Sequence, residues 1–385
     1  MLNFDSSEAM NTTPSTPSAF NKIATWYQTL AVMLLTFMFL AVFVNIGLYF
    51  YVRRLDRNHS VNPVESYGLD TVLRAYPGWT AASVTGLIKE TYTARYLVHH
   101  PFAQFSNEPR SGKYVSVLAP GFRVVKNQSP WPPRSVIKNV FVFGGSTAFG
   151  LGVTNQETIA SYVQEMLERK TNTPVAVYNF GTPAYASRQE ATLFFDFLSS
   201  GIAPETAVFI DGLNEYAWGE KPALTTEISR DVEGKAVRDW LYLKVPMVRV
   251  AYNMIHRSPV SSNAPNDDAR AEVIIKRWRD NKRIIEAMAA AFNVRVLFVW
   301  QPIPYYNYDP RNDPFCQPTH PCTSAPHEAL YRRMKTLDGG LGGDYLWLGD
   351  LQAGRTENLY VDSVHYSPAF SKQIAEAIAE NLVQN

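Results

Sequence analysis

From residue 138 onward, short apolar runs alternate with amphipathic stretches. Asn139-Val-Phe-Val-Phe143 is β-branched and aromatic, which predicts a buried strand. It runs directly into Gly144-Gly145-Ser146, where a sharp turn is expected. Residues 157–170 repeat apolar positions at helical spacing (Ile159, Tyr162, Val163, Met166, Leu167). Pro174 to Asn179 predicts a second strand, closed by Phe180-Gly181. A second helix over 187–199 carries the stripe Leu193, Phe194, Phe197 and Leu198. Residues 206–211 predict a third strand running into Gly212-Leu213-Asn214-Glu215, and residues 269–292 a long helix. Further strands are predicted at 294–300 and 345–348. Ser367-Pro368 then supplies an N-cap and a first-turn proline for a closing helix to about Leu382. This alternation predicts an α/β fold, a parallel sheet covered by helices on both faces.

The front of the chain follows other patterns. Residues 1–22 are rich in Ser, Thr, Asn and Pro and predict a disordered tail. Residues 23–52 contain no charged side chain, and about 20 apolar helical residues suffice to span a bilayer. A single transmembrane anchor is expected, with Trp26, Tyr27, Tyr49 and Tyr51 at its interfaces. Residues 53–137 give mixed signals: helical character from Thr80 to Val98, short strands after Pro101 and Gly112, and a rigid Pro130-Trp-Pro-Pro133 link. This segment is expected to pack on the main domain, 138–385, and to shape one wall of its cleft. Two insertions interrupt that domain. Residues 216–268 hold Trp218, Trp240, Tyr242 and Tyr252; residues 302–326 hold Tyr305, Tyr306, Tyr308 and both cysteines. Each follows a strand end, so both are expected on the face that carries Ser146.

Composition narrows the chemistry. The formal net charge of +1 over 385 residues gives no electrostatic basis for a nucleic-acid partner. Cys316 and Cys322 are close enough for a local disulfide, and equally compatible with two reduced thiols. Neither a phosphate loop of the Gly-Lys-Ser/Thr type nor a His/Cys cluster with zinc spacing is present, so no cofactor and no metal are expected. His99-His100 reads as a surface turn. Nothing in the pattern sets an assembly state.

Four strand ends present polar groups to one rim: Ser146, Gly181, Asn214, and Asp362 with His365. A serine hydroxyl needs an adjacent base to act as a nucleophile, and a histidine base needs a carboxylate to fix its tautomer. An oxyanion needs fixed donors, each worth roughly 10²–10³ in turnover. The backbone N–H groups of Ser146 and Gly181 and the side-chain amide of Asn214 are candidates. Each of these residues alone also reads as an ordinary turn or helix cap. Together and in order, Gly144-Gly-Ser146, Asn179-Phe-Gly181, Gly212-Leu-Asn214 and Asp362-Ser-Val-His365 resemble blocks I, II, III and V of the SGNH (GDSL-like) hydrolase superfamily.

The resemblance covers about residues 138–384. It implies a flavodoxin-like three-layer α/β/α fold and hydrolysis, or transfer, of acyl esters. Ser146 would be the nucleophile, His365 the base and Asp362 its orienter, with Ser146, Gly181 and Asn214 as the oxyanion hole. Two departures stand out: Gly145 where many members have Asp, and Glu215 where Asp usually follows the Asn. Tethered members resemble enzymes that edit acyl esters on cell-envelope glycans. That implies a membrane-anchored esterase with an extracytoplasmic domain and an acyl-ester substrate. The close cysteine pair favours the same side. Arg53, Arg54 and Arg57 after the span favour the cytoplasm instead. Two alternatives share these motifs, an O-acyltransferase acting on an envelope polysaccharide and a non-catalytic glycan-binding module.

Overall fold

The structure is a computed structural model that describes residues 19–58, 62–92, 97–134, 136–218, 245–255, 266–317 and 322–384. Most of the predicted tail lies outside the described residues, as do Trp240 and Tyr242 of the first insertion and the side chains of Arg53, Arg54 and Arg57. The chain divides into two compact units, residues 1–56 with 237–258, and residues 57–236 with 259–385.

Helix α1 (Ala19–Asn58) belongs almost wholly to the first unit. Its stretch Lys22–Val52, 31 residues, is long and apolar enough to cross a membrane. At 1.5 Å per residue it spans about 46 Å, against about 30 Å of hydrocarbon. Phe37, Phe43 and Phe50 stand exposed along it.

The second unit starts with three helices, α2 (Pro63–Tyr67), α3 (Leu69–Leu73) and α4 (Ala81–Thr91). Thr80 caps α4 by accepting the N–H of Ser83 at 3.2 Å. Strands β1 (Leu97–His100) and β2 (Gln104–Asn107) form a separate antiparallel pair. His100 therefore ends a strand instead of lying in a surface turn. Its Nδ1 accepts the N–H of Ala103 at 3.1 Å, and its Nε2 lies 3.7 Å from Asp196. The short strands β3 (Val117–Leu118) and β4 (Phe122–Arg123) follow.

Strand β5 (Lys138–Gly144), helix α5 (Ser146–Phe149), helix α6 (Ile159–Thr171) and strand β6 (Val175–Asn179) open the regular alternation. Helix α7 (Ser187–Ser199), strand β7 (Thr206–Asp211) and helix α8 (Leu213–Trp218) continue it. Helix α9 (Pro246–Ile255) returns to the first unit, where the N–H of Met247 donates to Asn45 Oδ1 at 3.0 Å. Helix α10 (Asp267–Ala291), strand β8 (Arg295–Trp300), helix α11 (Ala325–Leu337), strand β9 (Tyr345–Trp347) and helix α12 (Pro368–Gln384) complete the chain.

The main sheet runs β3-β4-β6-β5-β7-β8-β9, parallel from β6 to β9. Because side chains alternate along a strand, each strand feeds two cores. Val140, Val142, Val208, Ile210, Leu297 and Val299 face α6 and α12 in an aliphatic layer. Phe141, Phe143, Phe209, Phe298 and Trp300 face α7, α10 and α11 in an aromatic one. Phe143, Phe209 and Phe298 share one register row and stack at 4.9 and 5.4 Å between ring centroids. The result is the three-layer α/β/α arrangement that the alternation predicts. The sheet does not stop at residue 138. Arg123 of β4 pairs antiparallel with Asn179 of β6, so the 53–137 segment adds strands to the same sheet. Strands β6 and β7 flank β5, and the chain leaves β5 toward β6 before crossing back to β7. That reversal opens a crevice at the carboxyl end of β5.

Candidate active site

Ser146 sits where β5 ends and the single turn of α5 begins, at the crevice. As the first residue of that turn its N–H has no intrahelical acceptor, and its side chain is half-buried, open to a ligand. His365 is brought to it from 219 positions along the chain. The loop before α12 is pinned where Val361 N–H donates to His365 O and Ser367 N–H to Leu359 O, each at 2.8 Å. His365 Nε2 lies 2.8 Å from Ser146 Oγ, and His365 Nδ1 lies 2.7 Å from Asp362 Oδ2. A carboxylate only accepts, so Nδ1 carries the proton and Nε2 is left to accept the serine O–H. Asp362 Oδ1 accepts the N–H groups of Val364 and His365 at 2.8 and 2.7 Å. Burial pushes the Asp362 carboxyl up, but the adjacent imidazole and these two backbone donors outweigh it and hold the group below the usual carboxylate range.

The candidate oxyanion donors divide. Asn214, at the start of α8, donates from Nδ2 to Tyr185 O at 2.7 Å, which leaves its second N–H. That amide lies against the residue before Ser146: a Cβ on Gly145 would stand 2.2 Å from Asn214 Nδ2. The absence of a side chain at 145 is what admits the amide there. Gly181, by contrast, donates its N–H to Asn179 Oδ1 at 3.0 Å. A Cβ at 181 would stand 2.3 Å from Phe149 N, so this glycine lets β6 and α5 approach closely. In this geometry Ser146 N–H and Asn214 Nδ2 remain as candidate oxyanion donors, and Gly181 packs beneath Ser146.

Glu215 follows Asn214 and is fully buried. It accepts the N–H of Ser187 at 2.7 Å and the Ser187 hydroxyl at 3.1 Å, capping α7 from the neighbouring turn. Glu190 and Asp211 lie buried in the same layer, and Trp278 Nε1 donates to Asp211 Oδ2 at 2.9 Å. As carboxylates, both Glu190 oxygens and Asp211 Oδ1 would meet no donor. Burial, reinforced by the mutual repulsion of the three groups, pushes Glu190 and Asp211 well above the usual range. A carboxyl proton retained on Glu190 would give this pair one donor.

The segment before residue 138 reaches the site. Arg123, fully buried, donates to the carbonyls of Phe149 at 2.8 Å and Val153 at 2.5 Å and to that of Gly150, bracing the turn that follows Ser146. Burial drops this guanidinium to about 9. Tyr92, the residue that ends α4, donates its hydroxyl to Asp362 Oδ2 at 2.7 Å. In the second insertion, Cys316 and Cys322 form a disulfide with Cα atoms 5.2 Å apart. Asp313 beside it is pushed up to about 7 by burial. Tyr305 and Tyr216 sandwich His327, at ring distances of 5.2 and 4.2 Å. That histidine makes a second Ser–His contact, 2.7 Å from Ser324 Oγ. It lies in the first turn of α11 between two tyrosines, and burial lowers it to about 4, so it is neutral.

Tyr92, Glu190 and Asp211 escape the sequence reading because none belongs to a motif. The nearest signal was the loss of regular patterning before residue 138. Among the described residues, the one group with metal-ligand proximity is Asp313 with Cys316 and Cys322, and its two sulfurs are already bonded to each other.

No family model and no curated protein matches this sequence. Among solved structures, the chain is similar to an esterase from a Pseudoalteromonas species, at 9% identity over 64% of this chain and 97% of that one, with a TM-score of 0.37. It is similar also to a protein assigned to the G-D-S-L lipolytic family from Desulfitobacterium hafniense (10%, 63% and 99%, TM-score 0.34). A third likeness is to an acetylxylan esterase from Geobacillus stearothermophilus (13%, 64% and 94%, TM-score 0.36). From its own residues, the chain brings motif blocks I, III and V together as one Ser–His–Asp cluster at the end of β5, with block II packed beneath it where the resemblance implies an oxyanion donor.

Proposed function

We propose that this protein is a membrane-anchored serine ester hydrolase of the SGNH type. The observation that carries the reading is the unbroken line from Ser146 Oγ through His365 to Asp362, with contacts of 2.8 and 2.7 Å. In the reaction, Ser146 Oγ attacks the ester carbonyl while its proton passes to His365 Nε2. The oxyanion is met by Ser146 N–H and the free N–H of Asn214. The imidazolium then gives its proton to the leaving alkoxide, and the acyl group stays on Ser146. Water, deprotonated by His365, releases the acid and restores the serine. No step calls for a cofactor.

The substrate proposed is an acyl ester, such as an acetyl group, on a cell-envelope glycan. The apolar length of α1 supports the anchor. An extracytoplasmic domain is supported by the Cys316–Cys322 pair, since such bonds persist in oxidising compartments. The arginines after the span weigh the other way, but the positive-inside rule is a statistical bias. One experiment addresses both points. Full-length protein from intact cells is alkylated before reduction, labelled with a serine-directed phosphonate, and digested for mass analysis, and ester cleavage is followed with aryl acetates of rising chain length. The expected result is label on Ser146, lost in Ser146→Ala together with activity, and unalkylated Cys316 and Cys322. Label on another serine overturns the nucleophile assignment; two alkylated thiols overturn the extracytoplasmic placement.

A further inference from the structure

We propose that Tyr92 is a positioning residue of the triad, a phenol that shares Asp362 Oδ2 with the catalytic imidazole and so sets how firmly the carboxylate holds it. The inference rests on the hydrolase reading above and extends the site into the segment before residue 138. Tyr92 closes α4, its own N–H bonded to Ile88 O at 2.9 Å, which fixes where its ring emerges. The ring meets His365 edge to face, with centroids 5.7 Å apart and planes at 84°. Its hydroxyl is buried and donates to Asp362 Oδ2 at 2.7 Å, the same distance at which His365 Nδ1 approaches that oxygen. Asp362 thus accepts four donors, two on each oxygen. Only Oδ2 divides its charge between a neutral phenol and the ring that becomes cationic during turnover.

The consequence has a sign. A hydrogen bond to a carboxylate spreads its charge and lowers its basicity. Without the phenol, Oδ2 attracts the imidazolium more strongly and the base stays protonated to higher pH. A phenol that donates more strongly does the reverse. The other titratable groups facing Asp362 are Tyr67, Tyr76, Tyr305 and Asp313. Burial raises the three tyrosines, so they stay neutral across the working range. Asp313 titrates at about 7 and adds its own step, but a change at position 92 leaves that step in place.

The test uses full-length protein in detergent and the pH dependence of kcat/KM for an aryl acetate. Tyr92→Phe, which keeps the ring against His365, is expected to move the acid limb up by about 0.5–1 pH unit. Tyr92 replaced by 3-fluorotyrosine, nearly isosteric and a stronger donor, is expected to move the limb down. Tyr76→Phe is the control. It removes an equally buried hydroxyl, bonded at 2.6 Å to Gly152 O, and is expected to lower Tm without moving the limb. Should the phenylalanine variant unfold, the fluorotyrosine variant alone decides. Limbs that coincide with wild type in an active enzyme overturn the role of Tyr92 and leave the hydrolase standing. A wild-type protein with neither ester cleavage nor labelling of Ser146 overturns both.

Discussion

Replacing Asp362 by asparagine tests the relay at its most constrained point. The side chain has two faces with unequal demands. Oδ1 accepts two backbone N–H groups, from Val364 and His365, at 2.8 and 2.7 Å. An amide NH₂ in that position would confront two donors, so the asparagine carbonyl must take it. The NH₂ is then forced to the Oδ2 position, opposite Tyr92 and His365 Nδ1. To accept from it, Nδ1 must give up its proton, and the proton moves to Nε2. Nε2 then points an N–H at Ser146 Oγ, 2.8 Å away, where a lone pair is required. The geometry survives with the wrong tautomer, an outcome worth about 10⁴ in kcat. That corresponds to about 5.5 kcal/mol of barrier. His365→Ala removes the base itself and is expected to cost roughly 10⁶. The assay is kcat for an aryl acetate at neutral pH, with circular dichroism and Tm to show that each variant is folded. A folded Asp362→Asn enzyme within tenfold of wild type would refute the tautomer argument, as would a loss equal to that of His365→Ala.

Gly181→Ala places a Cβ 2.3 Å from Phe149 N, an overpacking of backbone on backbone worth about 1–3 kcal/mol. For a domain of this size Tm should fall by roughly 2–4 °C per kcal/mol, together with activity. An unchanged Tm would overturn the packing role of Gly181. Glu190→Gln addresses the buried carboxyl cluster. Because Glu190 is raised in the folded state, its contribution is fully present below its unfolded value, about 4.3, and is lost as pH rises toward the folded value. Each retained proton therefore lowers stability by about 1.4 kcal/mol per pH unit in that window. The glutamine amide supplies the hydrogen bond that the proton supplied, so the variant's Tm should fall less steeply with pH above about pH 5. Parallel Tm profiles for the two proteins would show that Glu190 holds no proton.

The apolar pattern alone determines the elements and their order. Val140, Phe141, Val142 and Phe143 read as one strand because β-branched and aromatic residues suit a pleated, doubly covered surface. Ser146, Asn214, Asp362 and His365 are legible for a related reason. Chemistry of this kind sits in short, sequence-local turns at strand ends, where a few residues define both backbone and function. The pattern does not reveal which partner each polar group finds across the fold. Tyr92 and Asp362 are separated by 270 positions, and nothing near Tyr92 distinguishes it from any tyrosine at a helix end. Gly181 has the right place in its motif, yet the side chain of Asn179, two residues earlier, takes its N–H once β6 and α5 close together. Glu190 and Asp211 read as a helix-surface acid and a strand-end acid until α7, β7 and α10 pack and exclude water from both. Hydrogen-bond partners and protonation states are properties of the assembled core, because they depend on which distant atoms displace water from each group. Only the tertiary structure decides them.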